Sequence, residues 1–365
     1  MTPADLCDVV EGTIDGLVRR DRLVLAGPRP AVRVRRSRRT TGGDYATPVA
    51  LQLAAGAGLP PSGVAQLVAG ELLRHPGIAE ARVVPPGLVH VTLAQADASV
   101  ATEIVAAGDT YGRAHLPATA PGSAVTSSFE VAPSPGSGSG AADTRRRLID
   151  DISARLRVAT GGAPPSRSTG DPGAVRLSAP SGPVDLAHVV AAAGVEAVGY
   201  ELLRYPYRSV LTLDVVALTR CSVESPFYSV RYAHARAVAL LRNAADLGVD
   251  AAIDPAIDDD DDAADDQGRV PRGLPTGGAA LLRELTAFPL AVTSAAERRE
   301  PYRLARHLEA TAEVFHRFTV AALTLPRGDD GPGDTYRAAM LLTAATRVVL
   351  ANGLDLLGLR APNRL

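Results

Sequence analysis

Apolar residues recur at three- and four-residue steps through much of this chain, and that period predicts helices. From Pro301, which suits a first helical position, Leu304, Leu308, Phe315, Phe318 and Ala322 fall on one face. A second run sets Met340, Leu341, Ala344, Val348 and Ala351 on one face, and Asn352-Gly353 then predicts a left-handed helix end. The two form an antiparallel helical hairpin. Pro226 opens another helix, with Val230, Ala233, Ala237, Leu240, Leu241 and Ala244 inward and Gly248 at its end. The first third is mixed. Residues 3–18 read as a helix, Ala31–Arg35 alternates like a half-buried strand, and helices follow at about 47–57 and 62–74. Strands near 80–84 and 88–93 and a helix from Ser99 to Ala107 complete a small α/β layer with helices on one face of a short sheet. The expected fold class is α+β: this N-terminal layer, a degenerate linker, and a C-terminal all-α bundle.

Composition changes that picture in the middle. Residues 113–182 turn to Pro, Ser, Gly and Ala around one helical run, Thr144–Ala159. Residues 254–278 are an acidic loop bearing glycine and proline, read as a solvated insertion; the glycine turn and terminal glutamate of a calcium loop are missing from its spacing. With 365 residues and 46% hydrophobic content, the chain can bury two or three cores. A formal net charge of -2 gives no overall basic field, so any RNA contact must be local. The N-terminus lacks the pattern of a signal peptide, and no uninterrupted apolar segment reads as long enough to cross a bilayer, so a cytoplasmic location is expected. Cys7 and Cys221 read as ordinary thiols. All 38 basic residues are arginine, so the chain has no lysine to stabilise a transferring phosphoryl group or form a Schiff base.

The motifs resemble those of a known family. EPYRLA from Glu300, FHRFTV from Phe315, VLANGL from Val349 and the terminal APNRL follow the order of the DALR anticodon-binding domain that closes arginyl-tRNA synthetases. YAHAR at Tyr232–Arg236 is also a signature of that domain's entry helix. GDYATPVALQL from Gly43 and GLVHVTL from Gly87 resemble the family's N-terminal additional domain, which touches the D-loop corner of tRNA. The resemblance implies an N-terminal additional domain over 1–118, a remnant of the catalytic core over 119–182, a stem-like helical segment over 183–225, and a DALR-type domain over 226–365. The remnant is the anomaly. Gly140 and Asp143 stand where the family's HIGH signature has its two histidines, and Val175–Gly182 resembles the KMSKS loop with Arg176 and Ala179 at its lysine positions. Only the fourteen residues Gly161–Ala174 lie between these features. That is too short for βαβ units of about thirty residues each.

Adenylate formation expels pyrophosphate from ATP and needs donors and positive groups where charge develops. The resemblance therefore implies a noncatalytic paralogue, a pseudoenzyme with no cofactor or metal. Its expected partner is tRNA, arginine-specific or otherwise, or another RNA. The alternative is a protein-interaction module that binds a synthetase or another translation protein; an active arginine–tRNA ligase is the least expected outcome. Candidate RNA-binding residues are Arg36, Arg38 and Arg39 in a basic run with Tyr45 nearby, since guanidinium forks suit phosphates. His90 takes the place of a family asparagine that helps read a D-loop base, with Leu88 where an aromatic residue is usual; an exposed, non-binding histidine is the competing reading. Tyr232, Arg236, Arg317 and Leu365 complete the set. Thr319, Val320, Ala322 and Leu323 replace polar residues of the family's FHRFYN helix, which keeps core and loses polar surface. His234 reads as a helix-packing residue, and His307 and His316, nine apart, do not have metal-ligand spacing.

Overall fold

The computed structural model describes residues 3–27, 29–37, 43–94, 99–114, 139–163, 173–179, 182, 184–220, 222, 224–249, 274–322 and 333–365. It divides into two compact units, Met1–Asp97 and Ala98–Leu365.

The first unit is a helix layer on an antiparallel sheet. Helix α1 (Pro3–Arg19) packs on α3 (Pro61–Leu72), and α3 packs on α2 (Val49–Ala57). Strands β1 (Arg35–Arg36), β2 (Tyr45–Thr47), β3 (Ile78–Val84) and β4 (Leu88–Leu93) are ordered β1-β2-β4-β3. Leu6, Val10, Leu17, Val64, Val68 and Leu72 from the helices and Val89 and Val91 from the sheet are buried in its core. The strand expected at 31–35 pairs only at Arg35 and Arg36, opposite Ala46 and Tyr45.

In the second unit, α4 (Ser99–Ala107) packs on the C-terminal helix rather than belonging with the N-terminal layer, as a 1–118 domain would require. Val100, Ala101 and Ile104 are its buried face. The turn after it is held by Asn352 Nδ2, which donates to the carbonyls of Gly108 (2.9 Å) and Tyr111 (3.1 Å). Helix α5 (Ser139–Ala159), the helical run expected within the middle segment, starts five residues before Thr144 and packs into the same unit. The 183–225 segment is helical only in part. Its α6 (Leu186–Ala193), α7 (Val195–Leu203) and α8 (Val215–Thr219) are accompanied by strand β6 (Leu211–Asp214), which pairs in parallel with β5 (Val175–Ser178).

The bundle comprises α9 (Pro226–Asp246), α10 (Gly278–Thr286), α11 (Phe288–Arg298), α12 (Tyr302–Ala321) and α13 (Asp334–Leu356). The expected hairpin is α12 and α13, with Leu304, Leu308, Phe315 and Phe318 buried as the period predicts. Asn352-Gly353 does not end its helix. α13 runs to Leu356, and the left-handed glycine is Gly358 at φ 70°. Gly353 instead admits a neighbour: a Cβ there would lie 2.3 Å from Leu308 Cδ2. α13 is also long and apolar enough to cross a membrane, contrary to the expectation, but 83% of its most apolar window is buried within the protein, as befits a core helix.

Candidate nucleic-acid interface

The α9 sequence PFYSVRYAHAR sets Tyr228, Tyr232 and Arg236 at four-residue steps, so a helix must align them in one ridge. The rings of Tyr228 and Tyr232 are 6.0 Å apart and within 8° of parallel. His316 on α12 meets Tyr232 at 5.5 Å between centroids. Arg236 Nη1 donates to Tyr232 Oη at 3.3 Å, while its buried Nε has no hydrogen-bond partner among the described residues. His316 Nε2 is 3.3 Å from both Oγ and the carbonyl of Ser229. A carbonyl can only accept, so Nε2 carries the hydrogen. Burial pushes the His316 pKa down, the carbonyl bond opposes this, and the Arg236 charge adds to the lowering, so the ring is neutral at neutral pH. The result is a half-buried ladder of two tyrosines and an imidazole with a guanidinium at its end. Such rings stack on bases, and the guanidinium suits a phosphate.

The chain's end lies against the same helix. His234 is buried, and its Nδ1 donates to the Pro362 carbonyl at 2.9 Å, which makes it the packing histidine that the sequence suggests. Arg360 donates through its backbone N (3.2 Å) and Nε (2.9 Å) to Glu196 Oε1. Leu365 is exposed beyond these ties. Arg317 points outward, paired with Glu313 at 2.6 Å, and Val320 is 86% exposed. The structure therefore brings Tyr232 and Arg236 together, and adds Tyr228, Ser229 and His316. The i, i+4 tyrosine spacing could have flagged Tyr228, whereas the contribution of His316 depends on how two helices dock.

In the first unit two candidates are corrected. Tyr45 is 4% exposed in β2 opposite Val91, so its ring is core and offers no stacking face. His90 is neither exposed nor on an open face. It is 6% exposed between Ala46 and Arg82, with Nδ1 at 3.1 Å from Ser37 Oγ, and a Cβ at Gly43 would lie 3.5 Å from its own Cβ. Arg38 and Arg39, and the side chain of Arg36, lie outside the described residues. Cys221 and Leu323 do too.

The positions that resemble the synthetase signatures sit as follows. Gly140 and Asp143 are in the first turns of α5, with Asp143 bonded to Arg146 at 2.5 Å. Arg176 is exposed on β5, and Ala179 makes an isolated bridge to Gly182. Behind them Arg145 is fully buried and donates to the carbonyls of Leu202 (3.2 Å), Tyr205 (3.2 Å), Pro206 (2.7 Å) and Ser209 (2.7 Å). Burial brings its pKa down to about 10, so it is charged at neutral pH. Among the described residues no group of three or more His, Cys, Asp or Glu could hold a metal ion.

Residues 230–365 match the DALR anticodon binding domain family, and residues 13–93 match the Arginyl tRNA synthetase N terminal domain family. An arginine–tRNA ligase of Frankia alni is 41% identical over 211 residues, which are 58% of this chain and 34% of that protein. The chain thus spans about a third of the length of this relative. The arginyl-tRNA synthetase of Plasmodium falciparum superposes with a TM-score of 0.61 at 8% identity, covering 100% of this chain and 99% of the other. That of Thermus thermophilus gives 0.53 at 12% identity with 100% of each chain covered. At such identities the two structures speak to fold alone. With an N-terminal synthetase domain and a DALR domain both matched, the chain is an arginyl-tRNA synthetase-related protein.

Proposed function

We propose that this protein is a noncatalytic arginyl-tRNA synthetase paralogue that binds tRNA, or another RNA, in the cytoplasm. The observation that carries the reading is the Tyr228–Tyr232–Arg236 ridge with His316, set within residues that match an anticodon-binding domain. Stacked rings and a guanidinium hold single-stranded bases without a dedicated pocket. The noncatalytic part rests on chemistry. Asp143 would repel a triphosphate, and the chain has no lysine to supply an ammonium at the KMSKS-like loop. Filter binding of purified tRNA at low salt tests the RNA reading, with random RNA of equal length as competitor. Tighter binding of tRNA is expected, and equal affinities would remove it. Tyr232→Ala is expected to cost roughly tenfold in affinity, the lower range for one stacked base.

A second reading is favoured by Val320, 86% exposed where the family helix is polar: a protein-interaction module that binds a synthetase or another translation protein. Co-purification from cells with and without nuclease separates the two. A partner retained after nuclease treatment supports the protein module, and one lost with the RNA supports the first reading.

A further inference from the structure

A cavity of about 270 Å³ lies where α7, β6, α8 and the start of α9 meet, and no residue of the tyrosine ladder lines it. The local sequence builds it. In LTLDVVALTRCSVESP, Leu211 and Leu213 point inward from β6, and Asp214 then starts α8, its Oδ1 accepting from Val216 N at 2.9 Å. Helix α8 is only five residues long, and the chain after it leads into α9 at Pro226. Carboxylates from three places therefore line one space: Glu201 of α7, Asp214, and Glu224 just before α9.

These acids are only partly spent. Glu201 Oε1 lies 3.4 Å from Arg204 Nη1, but that guanidinium is held more closely by Glu309, at 2.7 Å. Asp214 uses one oxygen as the α8 cap. The side chain of Glu224 has no partner among the described residues, and neither has that of Arg220, the one cation in the lining. Ser222 Oγ is buried in the wall and makes no hydrogen bond among the described residues, a cost that a donor in the cavity would remove. Ser225 occupies the N-cap of α9 without a side-chain cap bond. No three acids among the described residues converge to hold a metal ion, so the negative charge is spread along the walls. Ala217, Leu218 and Pro226 supply apolar surface between the charges. The volume is below the roughly 300 Å³ at which pockets begin to take drug-sized ligands, which suits a short, flexible molecule.

We propose that this cavity binds a small linear di- or triamine, with its ammonium groups on Glu201, Asp214 and Glu224 and its methylenes along the apolar wall. Ammonium groups only donate, and the carboxylates and the Ser222 and Ser225 oxygens can accept. Three carboxylates against Arg220 leave a net lining charge of -2. The site does not depend on the proposed RNA binding. The competing account gives the acids to the fold alone: Asp214 caps α8, Glu224 offsets the positive end of α9, and Glu201 steadies Arg204.

The test uses the full chain freed of RNA by nuclease, with spermidine as the probe, isothermal titration calorimetry as the readout and the melting temperature as a second one. One spermidine should bind per chain and raise the melting temperature. D214N keeps the α8 cap, because asparagine caps as well as aspartate. Combined with E224Q it should weaken binding about tenfold, each partly exposed ion pair being worth roughly threefold. R220Q, at an exposed position, removes a repulsion and should tighten binding about threefold. No binding by the wild type overturns the site. So does binding that D214N/E224Q and R220Q leave unchanged, which would place the amine elsewhere, as on the acidic run 254–278. Binding of free lysine but not spermidine, lost in R220Q, would give the cavity to a zwitterion and overturn the amine. The RNA reading stands under each of these results, since no RNA enters the test.

Discussion

The α12–α13 hairpin and the α5–β6 region show two ways to fill an interior. In the hairpin, Leu304, Leu308, Phe315 and Phe318 of α12 and Met340, Leu341, Ala344 and Val348 of α13 are all buried, and Gly353 lets Leu308 press against the helix backbone. Around α5 and α7, and where they meet α12 and α13, the protein instead holds charge. Arg145 is wrapped by four carbonyls; Arg155 (3.0 Å) and Arg113 (2.8 Å) share Asp355; and Arg204 pairs with Glu309 at 2.7 Å and Glu201 at 3.4 Å. The first interior depends on shape and the second on charge meeting its acceptors. In the second, donors near the HIGH-like positions are spent on the chain's own backbone.

The comparison can be broken most sharply at Arg145. Arg145→Met strands one buried carbonyl, that of Leu202, and three half-buried ones, and should cost about 3 kcal/mol in urea unfolding, while Arg145→Lys, with a compact ammonium that cannot span them, should recover roughly half. A loss under about 1 kcal/mol for Arg145→Met would show that the carbonyls find other donors. Asp355→Asn comes next. It removes the carboxylate that the buried Arg113 and Arg155 share and should cost about 3 kcal/mol, seen as an earlier unfolding midpoint. On the apolar side, Gly353→Ala should cost about 2 kcal/mol by overpacking. Because Leu308 is the atom struck, Gly353→Ala with Leu308→Ala should be less destabilising than the sum of the single changes.

The smallest effect is acid sensitivity. Burial, the largest cause, holds the His234 and His316 pKa values below the ordinary 6.5. Each therefore binds its proton more readily in the unfolded chain, and stability falls as pH drops from about 6.5 toward the lower folded values. The slope should not exceed about 1.4 kcal/mol per pH unit for each histidine. His234→Gln should flatten the melting temperature between pH 6.5 and 5, and an unchanged slope would remove His234 from the account.

The hairpin was legible in the sequence because packing writes itself as a period. Leu304, Leu308, Phe315 and Phe318 declare their face without knowledge of a partner. Gly353 was misread because glycine serves both a helix end and a close approach, and only the position of Leu308 decides between them. Arg145 was invisible for a related reason. In TRRRLIDDISARLR three consecutive arginines look like a solvated face, and nothing local says that one of them will meet the carbonyls of Leu202–Ser209. For the candidate interface, the YAHAR motif leads to Tyr232 and Arg236, whereas His90 is singled out by the family asparagine it replaces and Tyr45 by its nearness to the basic run, and neither reason says what buries them. The chain that covers His90 is contributed by Ser37, fifty-three residues away.

The noncatalytic part of the proposed function rests on the absence of lysine and on Arg145, whose donors beside the HIGH-like positions are taken up by four backbone carbonyls. Arginine-dependent exchange of labelled pyrophosphate into ATP, measured on the full chain with saturating tRNA, tests it most directly. The account predicts exchange no greater than in the absence of arginine; exchange that rises with arginine and saturates would contradict it.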